Sequence, residues 1–313
     1  MGDPDESEPL VAVLGAGPML EVTVELDAQG SQDPEVHIHA GGQGLWVGRM
    51  AKALGARAIV CGPWGGEAGI AAAALARAEG LELRTTSASS ISTHLLDYRG
   101  GEREEIAVMP STALDRHSQD DLYGAMLVAA HEADIAVLTG ADPDVGLPDD
   151  FFGRLAKDLH DADRPVVADV SGPQAQAVLE AGVAVLKISD EEVVAGGFAE
   201  DDSLDALRAC ADSMHEQGAT AVLISRAHEP ALLSTSDGDY LIRTPSVSTR
   251  ETKGAGDSMT AGIAVGTARG LSLHGAVRIG AAAGALNVAR RGLGTGRRQD
   301  IESFAAQVHI DTL

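Results

Sequence analysis

A turn in the last quarter of the chain carries the residue types best suited to chemistry. The segment Gly254-Ala255-Gly256-Asp257 stands directly before a helical pattern that runs from Ser258 to about residue 268. Its glycines let the backbone approach a ligand, and the free N–H groups of a helix start favour an anion such as phosphate. We interpret Asp257, which cannot bind an anion, as a general base or a metal contact facing the same pocket. The alternative is that Asp257 is the N-cap of an ordinary glycine-rich turn.

The elements that must position this turn follow an alternating pattern. Short β-rich apolar runs alternate with helical stretches, which indicates a mostly parallel sheet covered by helices on both faces. Ligands of such sheets bind beyond the carboxyl ends of the strands. The predicted strands cover residues 10–14, 58–61, 135–138, 166–169, 183–187 and 221–225, and the predicted helices cover residues 68–79, 121–132, 151–160, 174–181 and 204–216.

Four other segments alternate apolar and polar residues, which is typical of half-exposed strands. They cover residues 22–26, 35–39, 92–98 and 104–108, and a hairpin-like turn at 99–102 joins the last two. We expect these strands, drawn from about 20–40 and 90–110, to form a small β appendage on a single domain that spans residues 10–313. The acidic, proline-containing residues 1–9 are expected to form a disordered leader.

Composition limits the classes of partner. The 313-residue chain is 44% hydrophobic, which supports a sizeable core, and its formal net charge of −24 argues against nucleic acid and anionic membranes. Two cysteines far apart, with no signal peptide or membrane-length apolar run, indicate a reduced, cytoplasmic protein. Lysines are few, so each of them merits attention: Lys52, Lys157, Lys187 and Lys253.

A second glycine-containing segment offers an alternative that we consider weak. Gly15 and Gly17 follow the first predicted strand and resemble half of a dinucleotide-binding motif. The third glycine of that motif is missing, because Leu20 stands in its place, and Pro18 suits a turn better than a helix start. An oxidoreductase is therefore the least favoured function.

Five segments occur in the order and spacing of one family. They are Gly41-Gly42-Gln43-Gly44, Thr139-Gly140, Asp169-Val170-Ser171-Gly172, Lys187-Ile188-Ser189-Asp190-Glu191-Glu192 and Gly254-Ala255-Gly256-Asp257. Together they resemble the ribokinase/PfkB-type carbohydrate kinases, and within them most of all the 1-phosphofructokinase and tagatose-6-phosphate kinase branch. The resemblance runs from about Val11 to Arg291.

The resemblance implies phosphoryl transfer from ATP to a sugar hydroxyl, with Mg²⁺, on a ribokinase-like three-layer α/β/α fold. The appended strands become a β-sheet lid, and since lids of this family often pair, a homodimer through the lid is implied. Asp257 would take the hydroxyl proton, while the N–H groups of Gly254, Ala255 and Gly256 hold charge that develops on the phosphoryl group. This agrees with the interpretation from the residues alone.

The resemblance also assigns residues to the nucleotide and its metal. Glu192 would help to place magnesium through water, and Lys187 would contact a phosphate unless it is a surface lysine with a solvated head. Ser189 stands where the family has Asn, and the segment from Ser225 to Pro230 replaces one that normally has two glycines. Ala227 and Pro230 restrict the backbone there, which suggests weaker ATP binding or another donor. The full predicted set is Lys187, Ser189, Glu192, Ser225, Ala227, Ala283, Gly284 and Asn287.

Departures from the family gather on the substrate side, whose predicted residues are Glu21, Gly41, Gly42, Gln43, Trp46 and His94. Glu21 stands for the sugar-gripping Asp, Gln43 for a Lys, Trp46 for an Asn and His94 for an Arg. Losing two full charges removes much of the reason to bind a substrate phosphate, so we predict a non-phosphorylated or unusual acceptor. Trp46 either stacks on the acceptor or belongs to the core.

Two other functions stay open at this point. The changes at Gln43, Trp46, Ser189 and Ala227 would also suit a catalytically silent sensor that binds a nucleotide or sugar. Trp46 as a stacking surface would suit a nucleoside kinase of the same superfamily. The sequence names neither the acceptor nor the hydroxyl that is phosphorylated.

Overall fold

The computed structural model describes residues 8–26, 33–100, 103–247, 253–288, 294 and 296–313. Most of the predicted acidic leader, residues 1–7, lies outside the described residues, and so do residues 101 and 102 of the predicted hairpin turn. Within the described ranges the chain forms two sheets and a set of flanking helices. No helix there combines the length and the apolar character needed to cross a bilayer.

The larger sheet has ten strands in the order β14-β13-β12-β11-β10-β9-β8-β1-β4-β5, numbered along the chain. The strands from β5 to β11 in this order pair in parallel, whereas β12, β13 and β14 add an antiparallel edge. The strands are β1 Leu10–Leu14, β4 Arg57–Pro63, β5 Glu82–Thr86, β8 Ile135–Thr139, β9 Val166–Asp169, β10 Val183–Ser189, β11 Ala219–Arg226, β12 Glu229–Thr235, β13 Gly238–Arg243 and β14 His309–Thr312.

Helices cover both faces of this sheet. Strand β1 shows why: Val11 and Val13 point to one buried cluster, and Ala12 and Leu14 point to the other, as alternation in a strand requires. The helices are α1 Gln43–Ala53, α2 Gly66–Ala78, α3 Arg116–Glu132, α4 Asp149–Asp161, α5 Gly172–Ala181, α6 Asp190–Ala195, α7 Leu204–Gln217, α8 Ala255–Ala268, α9 Leu273–Val288 and α10 Arg298–Ala305. The clusters place α1, α8, α9 and α10 on the first face and α3, α4, α5 and α7 on the second.

The predicted appendage is a separate four-stranded sheet, which we call the lid, in the order β3-β2-β6-β7. Its strands are β2 Met19–Leu26, β3 Pro34–Gly41, β6 Ser92–Asp97 and β7 Glu104–Met109. Glu21 pairs with His39 on one side and with His94 on the other, so these three side chains share one face. The α/β fold class with a small second sheet is thereby confirmed.

Candidate active site

The glycine-rich turn forms the start of α8, as predicted. Gly254 is the N-cap residue, and its φ of 77° lies in the left-handed region that favours glycine. Asp257 is the third residue of the helix and is only 8% exposed. The alternative that Asp257 is merely the N-cap is therefore wrong.

The carboxyl group of Asp257 is held in an environment that keeps its proton. Burial first and the nearby carboxylate of Asp169 second raise the pKa of Asp257, and the net value is about 7 although Lys187, a hydrogen bond from Gln43, and Lys253 oppose the shift. A pKa near neutrality suits a base that takes a proton from a hydroxyl and later releases it.

A buried ion pair lies behind Asp257. Nζ of Lys187 is 3.1 Å from Oδ1 of Asp169, and the hydroxyl of Thr260 donates to Oδ2 of Asp169 at 2.7 Å. Burial lowers the pKa of Lys187, but the carboxylates of Asp169, Asp257 and Glu192 outweigh it, so the pKa is raised and the ammonium keeps its charge. Lys187 thus stays charged among the side chains of Asp169, Asp257 and Glu192.

Lys187 lies beneath the turn because Gly256 leaves room for it. A Cβ at Gly256 would come 2.6 Å from Nζ of Lys187, closer than any side chain allows. With 5% of its surface exposed, Lys187 is not the surface lysine of the alternative interpretation. Its contact with a phosphate stays a prediction.

Ser189 and Ser225 lie side by side, since they are register partners at the carboxyl ends of the parallel strands β10 and β11. Ser189 begins α6 with a capping box: its hydroxyl accepts from the N–H of Glu192, and the Glu192 carboxylate accepts from the Ser189 N–H at 2.8 Å. The Ser that replaces the family's Asn therefore fixes the orientation of Glu192. Coordination of magnesium through water by Glu192 stays a prediction.

Ala227 forms the turn between β11 and β12 with a φ of 32°. Positive φ is unfavourable for a residue with a Cβ, so this turn keeps a conformation suited to glycine although the glycine is absent. The prediction that Ala227 restricts the backbone here agrees with the geometry. An effect of Ala227 on nucleotide binding stays a prediction.

The three residues of α9 that were predicted to bind the nucleotide make packing contacts and hydrogen bonds within the protein. Ala283 is fully buried, and a Cβ at Gly284 would lie 2.9 Å from the carbonyl oxygen of Ala255, so α9 packs closely on α8. The amide of Asn287 donates to the carbonyl of Lys253 at 2.9 Å and accepts from the N–H of Gly294 at 3.0 Å. These residues hold the turn in place, and their contact with a nucleotide stays a prediction.

Replacing Asn287 with leucine is expected to lower the free energy of unfolding by about 2–3 kcal/mol, because two backbone groups lose their buried partner. Urea unfolding measures this change, and the acceptor KM is expected to rise because the turn is less fixed. Gln307 supplies the control: it is exposed, and its amide makes only a long hydrogen bond of 3.4 Å to the carbonyl of Ser303, so Gln307→Leu should change stability by less than about 0.5 kcal/mol. Equal effects of the two substitutions would contradict the role given to Asn287.

Three substrate-side residues of the sequence prediction meet near the turn. Oε1 of Glu21 is 3.3 Å from Nζ of Lys253, and this Nζ lies 4.9 Å from the centre of the Trp46 ring. Trp46 is only 7% exposed, so most of the ring belongs to the core, as one of the two interpretations expected. A Cβ at Gly41 would lie 3.2 Å from Oε2 of Glu21, so Gly41 borders this cluster.

Gln43 and His94 also face the site. Gln43 is the first residue of α1, whose N-cap is Gly42, and its side chain hydrogen-bonds to Asp257. Nε2 of His94 is 3.0 Å from the hydroxyl of Ser92, next to Glu21 in the lid. Acceptor binding by Gly42, Gln43 and His94 stays a prediction.

Sequence reasoning gave no role to three residues that the structure brings to the site: Asp169, Thr260 and Lys253. Asp169 ends a predicted strand within a family-like segment, which was a usable signal. Lys253 is one of only four lysines and directly precedes Gly254, which was another. Thr260 offered none, because its contact depends on how α8 packs against β9.

The chain matches the model of the pfkB family carbohydrate kinases over residues 11–300. It is 28% identical to the ATP-dependent 6-phosphofructokinase isozyme 2 of Mycobacterium tuberculosis, covering 96% of this chain and 90% of that one. It is 27% identical to the 1-phosphofructokinase of Bacillus subtilis, with 88% and 89% covered. A crystal structure of a phosphofructokinase-2 variant from Escherichia coli superposes with a TM-score of 0.83 at 25% identity, with 95% and 98% covered.

The chain therefore belongs to the pfkB family of carbohydrate kinases, and the resemblance found in the sequence is confirmed. It is a phosphotransferase with a hydroxyl group as acceptor. Kinases of this family use ATP and Mg²⁺. The geometry of the turn agrees with this chemistry, because Asp257 and the free N–H groups at the start of α8 belong to the same first turn of the helix.

Proposed function

We propose that this protein transfers the γ-phosphoryl group of ATP to a hydroxyl of an uncharged sugar or sugar-like molecule. The observation that carries the proposal is the buried Asp257 at the start of α8, whose pKa of about 7 fits a general base. The N–H groups of the turn face the position at which charge develops. The proposal gives Asp257 the acceptor's proton.

The donor set beside Asp257 suits a magnesium nucleotide. Mg²⁺ prefers carboxylate oxygens together with phosphate oxygens and water, and Glu192 supplies a carboxylate near Lys187 that would hold the ion through water. Both carboxylate oxygens of Asp169 are already bonded, one to Lys187 and one to Thr260. ATP with Mg²⁺ supplies the phosphoryl group and neutralises its charge. Lys187 forms an ion pair with Asp169, and the capping box keeps Glu192 oriented. Because ATP is the proposed donor, we expect the reaction to occur in the cytoplasm.

The uncharged acceptor is supported by the residues around Asp257. Gln43, the first residue of α1, has an uncharged side chain that donates a hydrogen bond to the base, Asp257. His94 stands in the lid where the related branch has an arginine. Neither residue supplies the permanent positive charge that a phosphate ester would need, and the ammonium of Lys253 is already paired with Glu21.

A sugar phosphate is the second candidate, favoured by the relatives. Proteins named 6-phosphofructokinase and 1-phosphofructokinase match this chain over about nine tenths of their own length. One assay separates the candidates: ADP formation with fructose, tagatose and ribose, each beside its matching phosphate ester. The uncharged sugars are expected to have the higher kcat/KM, and a preference for the esters would reject the first candidate.

We propose that two copies of this chain pair through the lid. The face opposite Glu21 carries large apolar side chains in register, Val22 against Ile38 and Val24 against Val36. Val36 and Ile38 are 61% and 49% exposed, an unusual density for a small sheet. A second copy would cover this face with an identical one, as a two-fold interface requires.

Val36→Lys together with Ile38→Lys is expected to convert the dimer to a monomer, because each copy would place two unpaired charges in the apolar interface. Sedimentation velocity at micromolar concentration checks this. Ile70 on α2 is the matched control, since it is 73% exposed but outside the lid, so Ile70→Lys should leave the dimer intact. A wild-type chain that sediments as a monomer would reject the pairing.

A further inference from the structure

The start of α1 contacts the turn at the start of α8 through two side chains. Gln43 and Trp46 are three positions apart, so they share one face of α1. Gln43 hydrogen-bonds to Asp257, which follows the two glycines of the turn. The ring of Trp46 contacts the ammonium of Lys253, which precedes these glycines. Two of the residues that depart from the family's sequence pattern therefore contact the turn that carries the chemistry.

Lys253 forms a three-residue cluster with Glu21 and Trp46, which we call the acceptor cluster. The side chain of Glu21 is 11% exposed and that of Lys253 is 34% exposed, so the carboxylate is buried while the ammonium still reaches the cleft. A carboxylate with so little access to water needs a cation beside it, and Lys253 provides one at 3.3 Å. The indole fixes the ammonium from below by a cation–π contact.

The carbonyl of Lys253 is fixed as well. Asn287 donates to this carbonyl at 2.9 Å, so main chain and side chain are both held in place. Lys253 also lies close enough to Asp257 to stabilise its carboxylate. An ammonium held beside a general base and a sugar-side carboxylate is placed to contact the acceptor.

We propose that Lys253 determines acceptor specificity: together with Glu21 it forms a neutral pair that binds two neighbouring hydroxyl groups of an uncharged sugar or polyol. The carboxylate of Glu21 accepts a hydrogen bond from one hydroxyl, and the ammonium of Lys253 donates one to the oxygen of the next. The inference rests on the proposed function, and it names the residues that select the acceptor.

The charges of the cluster explain why an anionic group is disfavoured there. A phosphate or carboxylate of the acceptor would compete with Glu21 for Lys253. Winning that competition would leave the buried Glu21 carboxylate without its cation, which is strongly unfavourable. Two hydroxyl groups can instead bind while the ion pair stays intact.

The chain's two tryptophans allow a test by binding rather than by turnover. Trp64→Phe leaves Trp46 as the sole indole, and Asp257→Asn in the same protein prevents consumption of the ligand. Titrations with fructose, tagatose, ribose and xylitol, and with the phosphate esters of the sugars, then follow Trp46 emission. The emission is expected to respond to at least one uncharged compound and to respond less to the matching ester.

Lys253→Met is expected to weaken the binding of that uncharged compound by about 10–100-fold, since a charge-assisted hydrogen bond is lost and Glu21 is left unpaired. Glu21→Gln should weaken it comparably. The double variant Glu21→Gln/Lys253→Met should lose less than the product of the two single effects, because neither charge remains unpaired. This double variant also keeps the test valid if Lys253→Met alone does not fold.

Four results would each overturn the inference, and three of them concern the uncharged compounds: none of these compounds alters Trp46 emission, Lys253→Met changes their affinity by less than about twofold, or the two substitutions act independently. A loss confined to the phosphate esters would show instead that Lys253 recognises an anion, and would overturn it too. Failure of the proposed function can be distinguished from failure of this inference. The proposed function fails if the wild-type chain forms no ADP with Mg-ATP and any acceptor, whatever the Trp46 emission shows.

Discussion

Asp257→Asn is expected to lower kcat by about 10³-fold and to leave the acceptor KM within a few fold. Asparagine has the size of aspartate and can keep a hydrogen bond with Gln43, but it cannot take the hydroxyl proton. Transfer from Mg-ATP is measured by ADP formation with the best acceptor of the panel. Turnover that survives this substitution would remove Asp257 from the reaction.

The wild-type pH dependence follows from the same carboxyl group. Asp257 acts as a base only when it is ionised, and its pKa is raised to about 7, first by burial and then by Asp169. The value of kcat/KM should therefore fall as the pH drops through about 7 and reach a plateau above it. A profile that stays flat down to about pH 5 would contradict the assignment.

Asp257→Asn should also change stability in a pH-dependent manner. A carboxyl whose pKa is higher in the folded chain than in the unfolded chain contributes stability below the unfolded value of 3.8, and this contribution is lost as the pH rises through about 7. The variant avoids that loss, so its Tm should exceed the wild-type Tm at about pH 8 and approach it at about pH 5. Asp212→Asn on the exposed face of α7 is the control and should show no such difference.

The parallel part of the fold could be predicted because its strands are buried on both faces. β1 and β9 are short apolar runs, and the structure places both near the middle of the large sheet. β14 was missed for the opposite reason: His309–Thr312 is a polar, mostly exposed edge strand with no alternation to detect. α6 was missed because its six residues are too few to show a helical period.

The candidate site was only half predictable. Asp257 and the glycines lie in one short segment, so their local chemistry could be inferred from spacing alone. The contacts of Asp169 depend instead on the β9–β10 register, which sets Asp169 beside Lys187, and on the packing of α8, which brings Thr260 from 91 positions away. Such contacts are tertiary, and no local pattern contains them.

The loss of charge at position 43 shows the same limit. Comparison with the family pattern indicated that a cation is missing where Gln43 stands. The structure shows that Lys253, which directly precedes the N-cap of α8, stabilises the Asp257 carboxylate together with Gln43 of α1. A substitution pattern reports the charge at each position, whereas the site responds to the charges that meet in space.

Lys187→Met is the second substitution with a large expected effect. It removes the buried cation that faces Asp169, Asp257 and Glu192, so the free energy of unfolding should fall by about 3–5 kcal/mol, as when one partner of a buried ion pair is removed. Activity should fall as well, because without the ammonium the pKa of Asp257 rises further. The acid limb of the pH profile should move to higher pH.

Urea unfolding of two further variants separates the buried charge from the loss of a long side chain. Lys157 on α4 pairs with Asp161 at 2.8 Å on the surface, so Lys157→Met should cost less than about 1 kcal/mol. Asp169→Asn/Lys187→Met should regain much of the lost stability, since one unpaired carboxylate is neutralised, but not the activity. If the double variant is as unstable as Lys187→Met, then packing of the lysine stem, and not its charge, holds the turn above it.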